Sequence, residues 1–250
     1  MFNRKSYKSI ARKQLGGRYA TPVLATLFTM LIYLLLNTPS LQGVINALQK
    51  PMNIFEYSNG TNGSYSFGVR AFYSRSMPSF LFSMASCFVS GVLIMAQANL
   101  YILLSHTTEP RPFGDYIKGF SAWLEGFLGF LWYSLWIFLW SLLFFIPGIV
   151  KAYSYSQMFL IMAEYPKVGV TRAMRLSKIL TKGYKGDLFI MSLSFLGWEI
   201  LSALTFGILK LWLTPYKSMS FVNAYHALKA HAIKAGDLTE EDFTGTGAEA

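Results

Sequence analysis

Long apolar runs alternate along this chain with short segments that hold most of its lysines and arginines. From Ser79 to Leu104 no residue carries a charge. About 20 apolar residues in a helix cross the hydrocarbon layer of a bilayer, and within that layer the backbone must satisfy its own polar groups. The pattern therefore predicts an all-α fold, a polytopic membrane helical bundle of about six transmembrane helices.

The spans are expected at Tyr19 to Leu36, Ser79 to Leu104, Trp123 to Ile146, Ile149 to Tyr165, Leu188 to Leu204 and Ile208 to Leu228. Pro147-Gly148 predicts a tight hairpin between the third and fourth, and Thr205-Phe206-Gly207 an outer turn between the fifth and sixth. The sixth carries Lys210, Pro215 and Lys217, so a re-entrant piece followed by a surface helix is its alternative reading. Ser83, Cys87 and Gly91 recur every four residues on the second span, which lets another helix approach closely. Trp132, Trp136 and Trp140 make one aromatic face on the third, read as a packing or lipid-facing surface.

Charge orients the bundle. Residues 2–18 hold Arg4, Lys5, Lys8, Arg12, Lys13 and Arg18 with no acid, and a second basic block begins at Lys167. The positive-inside rule puts both blocks in the cytoplasm, and an even number of crossings returns the C-terminus there too. The chain then divides into a single membrane domain over residues 1–235, with an outside loop at 37–78 and a cytoplasmic basic linker at 166–186, and a short acidic tail at 236–250. Leu41 to Leu48 is expected as a short interfacial helix within that loop, ahead of the turn-forming Asn59-Gly60-Thr61 and Asn62-Gly63-Ser64 triplets. No A-x-A-like cleavage site follows Leu36, so the first span is expected to be retained. The net charge of +10 lies beside apolar spans, which favours a positive membrane face over nucleic-acid binding.

Ionisable groups inside a membrane are the first place to seek chemistry, because a bare charge at the bilayer centre costs at least about 2.5 kcal/mol. Glu199 interrupts the fifth span, and Lys210 and Lys151 are expected at a similar depth as its partners. These three form the candidate intramembrane charge site, either as a proton or cation site or as an ion pair that fixes helix register. Glu125 and Glu164, near inner ends of spans, are assigned no role.

Arg172, Arg175, Lys178, Lys182 and Lys185 recur at helical spacing in the linker, opposite Val170, Ala173, Ser177, Leu180 and Tyr184. That face is the candidate contact for anionic lipid head groups, each basic residue contributing on the order of 1 kcal/mol. His226 and His231 are off one helical face, and the chain has no H-E-x-x-H, G-x-S-x-G or Walker-type motif. No metal, cofactor or enzymatic activity is expected from these residues.

Phe145-Ile146-Pro147-Gly148-Ile149-Val150-Lys151 leading to Tyr153-Ser154-Tyr155, then Ser194-Phe195-Leu196-Gly197-Trp198 and Leu211-Trp212-Leu213-Thr214-Pro215-Tyr216, resemble the bacterial membrane family catalogued as domain of unknown function 975. The resemblance implies several membrane helices and a bacterial cytoplasmic membrane, and names no activity. The linker around Ala173, Ser177, Leu180 and Gly183 is also similar to the membrane portion attached to some glycerophosphodiester phosphodiesterases, whose catalytic domain has no counterpart here. The expected role is non-enzymatic: contact with lipid or a membrane-protein partner in membrane homeostasis, stress or immunity. The alternative is a carrier for a small solute or lipid that uses Glu199 and its neighbouring lysines.

Overall fold

Apolar periodicity without alternation dictates helices, and the computed structural model, which describes residues 2–49, 76–143 and 145–244, has no strand among them. The helices are α1 (Arg4–Leu15), α2 (Ala20–Gln49), α3 (Ser76–His106), α4 (Phe113–Lys118), α5 (Trp123–Leu143) and α6 (Phe145–Ser154). There follow α7 (Met158–Glu164), α8 (Val170–Leu180), α9 (Lys185–Leu193), α10 (Leu196–Leu204), α11 (Lys210–Ala235) and α12 (Glu240–Thr244).

Three stretches, Ala85–His106, Phe113–Leu142 and Lys185–Leu204, are long and apolar enough to cross a membrane, and the α1–α2 pair, bent by 100°, is a fourth if it counts as one span. The six expected spans differ from these for two physical reasons. The fourth is divided into α6 and α7, of 10 and 7 residues, by a polar break. The sixth is one helix, continuous through Pro215, but Lys210, Lys217, Lys229 and Lys234 make it too polar to qualify. Likewise α2 runs on past Leu36 to Gln49, so Leu41 to Leu48 continues it; the single donor that Pro39 lacks does not interrupt the helix. The rest of the expected outside loop, with the Asn59 and Asn62 triplets, lies outside the described residues.

The central helix is α3, whose apolar window is 56% buried. Small residues set its contact with α5: a Cβ on Gly91 would lie 2.6 Å from the Gly126 carbonyl oxygen, and one on Gly126 would lie 2.8 Å from that of Gly91. Gly119 packs as closely on Ala96, where a Cβ would meet the Ala96 Cα at 2.9 Å. The α5–α6 hairpin forms close to Pro147-Gly148, with α5 ending at Leu143 and α6 beginning at Phe145, so the pair lies inside α6 rather than between the two helices. Pro147 occupies the first turn of α6, where no backbone donor is missed, and Gly148 lets Ser141 approach.

The outer faces remain apolar. Only 11% of the best window in Phe113–Leu142 is buried within the protein, and Leu131, Leu135, Phe138 and Leu142 all face outward. At one end of the bundle several segments converge. The Phe2 and Tyr184 rings are 6.1 Å apart, Tyr184 Oη lies 3.1 Å from His231 Nε2, and the Tyr165 ring is 5.3 Å from Phe243. The N-terminal helix, the basic linker and the C-terminal segment therefore share one face. Helix α1 is capped by the Asn3 side chain on the Ser6 amide, buries Ala11 and Leu15, and lies on α11 through an Asn223–Gln14 hydrogen bond of 2.8 Å.

Candidate functional site

The apolar run after Pro147 is broken by Ser154-Tyr155-Ser156-Gln157. Helix α6 ends at Ser154 and α7 begins at Met158, which frees backbone groups deep in the bundle. Ser177, fully buried on α8, meets both sides of the gap. Its Oγ donates to the Ser154 carbonyl at 2.9 Å and accepts from the Gln157 amide at 3.2 Å. Thr181 Oγ1 stands 3.2 Å from the same carbonyl. An unwound segment among apolar helices persists where neighbours take up its backbone groups or where it borders a cavity. Here both conditions hold.

A cavity of about 480 Å³ lies between α3, the α6–α7 break, α10 and α11. Its polar lining includes Gln97, Tyr101, Gln157, Glu199, Lys210 and Lys217, against apolar walls that include Ile94, Phe159 and Phe221. Gln157 and Tyr101 are 1% and 2% exposed. The Gln157 Nε2 donates to Ser156 Oγ at 2.9 Å, but its Oε1 has no hydrogen-bond partner. Tyr101 Oη has none of normal geometry either, although the Thr26 and Ser218 hydroxyls are its polar neighbours. A buried group left unmet costs about 1–3 kcal/mol, so the unpaired Gln157 oxygen makes this cavity the candidate binding site.

Glu199 lies on α10 with its Oε1 2.8 Å from Lys217 Nζ. The partner expected from sequence was Lys210 or Lys151. Lys217 takes that place because α10 and α11 run antiparallel, and Glu199 and Lys217 are equidistant along the chain from Ile208 in the intervening turn. That turn forms as predicted, with Phe206 at φ 51° and Gly207 at φ 83°. Lys210 lines the same cavity as Glu199, whereas Lys151 sits elsewhere, its Nζ 4.2 Å from the Trp140 ring centre. The structure thus joins Glu199 with Lys210, adds Lys217, and leaves Lys151 apart.

The linker helix follows its periodicity. Ala173, Ser177 and Leu180 are buried, while Arg175, Lys178 and Lys182 are exposed. Arg172 is half-buried with its Nη2 4.0 Å from Asp242 Oδ1, and Lys185 is half-buried at the start of α9.

Three features escaped the sequence reading. Lys217 is two turns beyond Lys210 on the same face, a spacing that pointed to it. Gln157 closes a run of five polar or phenolic residues, Tyr153 to Gln157, in an otherwise apolar stretch, which signalled the break. Glu164 gave no such signal, yet it accepts from Tyr225 Oη and from Lys229 Nζ at 3.1 Å, with His106 Nε2 at 3.8 Å. Lys229 also donates to Tyr165 Oη and stands 3.7 Å from Glu240 Oε2. This network binds the C-terminal segment, whose Phe243 is fully buried, and is structural.

Residues 143–232 match the family model described as Protein of unknown function (DUF975). The match contains all three strings that carry the resemblance, together with Gln157, Ser177, Glu199, Lys210 and Lys217. No curated protein and no solved structure matches the chain.

Proposed function

We propose that this is a multi-pass protein of the bacterial cytoplasmic membrane that binds a small solute or lipid in the Glu199–Lys217 cavity and carries it between the two sides, without covalent chemistry. The observation behind this reading is Gln157, buried with its Oε1 unbonded at a helix break on the cavity wall. Discontinuous helices beside charged pairs at mid-bundle depth are how membrane carriers expose backbone and side-chain polar groups to cargo. The cavity volume falls in the ~300–1,000 Å³ range of small-molecule sites.

The proposed orientation follows charge. Arg175, Lys178 and Lys182 are exposed near the face where residues Phe2, Tyr184 and His231 meet, so the positive-inside rule makes that face cytoplasmic. In this arrangement α2, α3, α5, the α6–α7 pair, the α9–α10 pair and α11 make the six crossings. The two broken spans and the lysine-bearing α11 surround the cavity, and part of their polarity faces it.

A second reading rests on the same basic face and on the apolar flanks of α5 and α10: contact with anionic lipid or a membrane-protein partner, in homeostasis, stress or immunity. Gentle purification from native membranes with mass spectrometry of co-purifying molecules separates the two. An enriched small molecule or lipid whose amount changes on Glu199→Gln or Lys217→Met supports the carrier. A stoichiometric protein partner with no enriched small molecule replaces it.

A further inference from the structure

We infer that the cavity takes a hydroxylated phosphate ester, an anion that brings its own hydrogen-bond donor and is attached to apolar matter. The inference rests on the proposed binding role of the cavity and specifies its ligand. Three features of the lining set the class.

Charge comes first. Lys210 and Lys217 against Glu199 leave an excess of one positive charge on the wall, so an anion is favoured over a cation. Both cations are lysines, compact ammonium groups that can meet a tetrahedral phosphate as point charges.

The second feature is the unmet acceptor. Gln157 Oε1 is free to take a donor from the ligand, because its own amide nitrogen is turned toward Ser156 and the neighbouring backbone N–H is already taken by Ser177. A quaternary ammonium head group has no N–H or O–H to offer that oxygen. A hydroxyl beside the phosphate satisfies it.

The third is the rest of the wall. Ile94, Ala98, Phe159, Leu160, Phe221 and Val222 complete the lining. They offer burial for methylene groups, each worth about 0.8 kcal/mol. The chemistry can come from a lipid such as phosphatidylglycerol or from a soluble ester such as glycerol phosphate, and apolar walls favour the lipid.

The test uses full-length protein in neutral detergent, with native mass spectrometry or tryptophan fluorescence as the readout. Titrants are phosphatidylglycerol, phosphatidylcholine with matched chains, and glycerol phosphate. Phosphatidylglycerol is expected to bind at least about tenfold more tightly than phosphatidylcholine, the value of one hydrogen bond to a buried acceptor. Gln157→Leu should cut that preference back to the part that Lys210 and Lys217 supply by charge, while keeping the melting temperature, since it puts an apolar side chain in place of an unpaired acceptor. Lys210→Met, at an exposed position, should weaken both phospholipids without affecting the fold. Glycerol phosphate binding as tightly as the lipid supports the head-group chemistry and assigns a soluble source. Equal binding of phosphatidylcholine, or a preference left undiminished by Gln157→Leu, overturns the inference. If none of the esters binds but another solute co-purifies and its amount changes on Glu199→Gln or Lys217→Met, the ligand class is wrong and the carrier reading stands. If nothing binds, both fall.

Discussion

Lys217 Nζ donates to Glu199 Oε1 at 2.8 Å across the antiparallel α10–α11 pair. The Glu199 and Lys217 side chains are 33% and 35% exposed, so the attraction is discounted for screening. A double-mutant cycle with Glu199→Gln and Lys217→Met should give a coupling on the order of 1 kcal/mol in unfolding stability. The same cycle run with Lys151→Met should give none, because Lys151 stands on Trp140 instead.

Ser177 closes the α6–α7 break with one hydroxyl. Ser177→Ala leaves the Gln157 amide without its acceptor and the Ser154 carbonyl with only Thr181 nearby. A loss of about 2–3 kcal/mol is expected from thermal or denaturant unfolding in detergent, larger than for a surface serine such as Ser121.

Gly91 and Gly126 carry the α3–α5 contact. Gly91→Ala places a carbon against the Gly126 carbonyl, and the two backbones must separate. The expected cost is about 1–3 kcal/mol, whereas Gly114→Ala, where a Cβ meets nothing within 4 Å, should be close to neutral. Melting temperatures of the two variants, measured side by side, check the difference.

Asp242 tests the docking of α12. Its Oδ2 accepts from the Thr239 amide at 2.8 Å and from the Thr239 hydroxyl at 2.9 Å. The amide bond first, then the hydroxyl bond, holds the carboxyl below its ordinary range despite a small opposing effect of burial, and Arg172 adds to the lowering. A carboxyl with a depressed folded-state pKa contributes stability above its unfolded value and loses it as pH falls through the folded one. Hydrogen-exchange protection of residues 239–244 should therefore drop on acidification below the ordinary carboxylate range. Asp242→Asn should show lower protection at neutral pH and little further pH dependence.

Tyr165 and Phe243 touch, so reporters placed after either residue must lie on the same side of the membrane. Reporter fusions at both sites are expected to read cytoplasmic. Opposite readings would break the six-crossing arrangement, because an odd number of spans would then separate two residues in contact.

The chain by itself determined that it folds as helices, where the Pro147-Gly148 hairpin and the Phe206-Gly207 turn fall, and which side of α8 is basic. These are local properties: hydrophobic length, the missing donor of proline, the left-handed conformation at a glycine, and the 3.6-residue period. It also marked Glu199 as a charge that needs a partner. Which partner it finds, how Gln157 comes to be buried with an unmet oxygen, and that Glu164 gathers Tyr225, Lys229 and His106 were decided by tertiary structure alone. Those outcomes depend on the depth at which antiparallel helices align and on which helix fills the space beside a broken one. Residues such as Ser154 and Ser177, or Tyr101 and Gln157, lie far apart in sequence, and only packing in three dimensions brings them together.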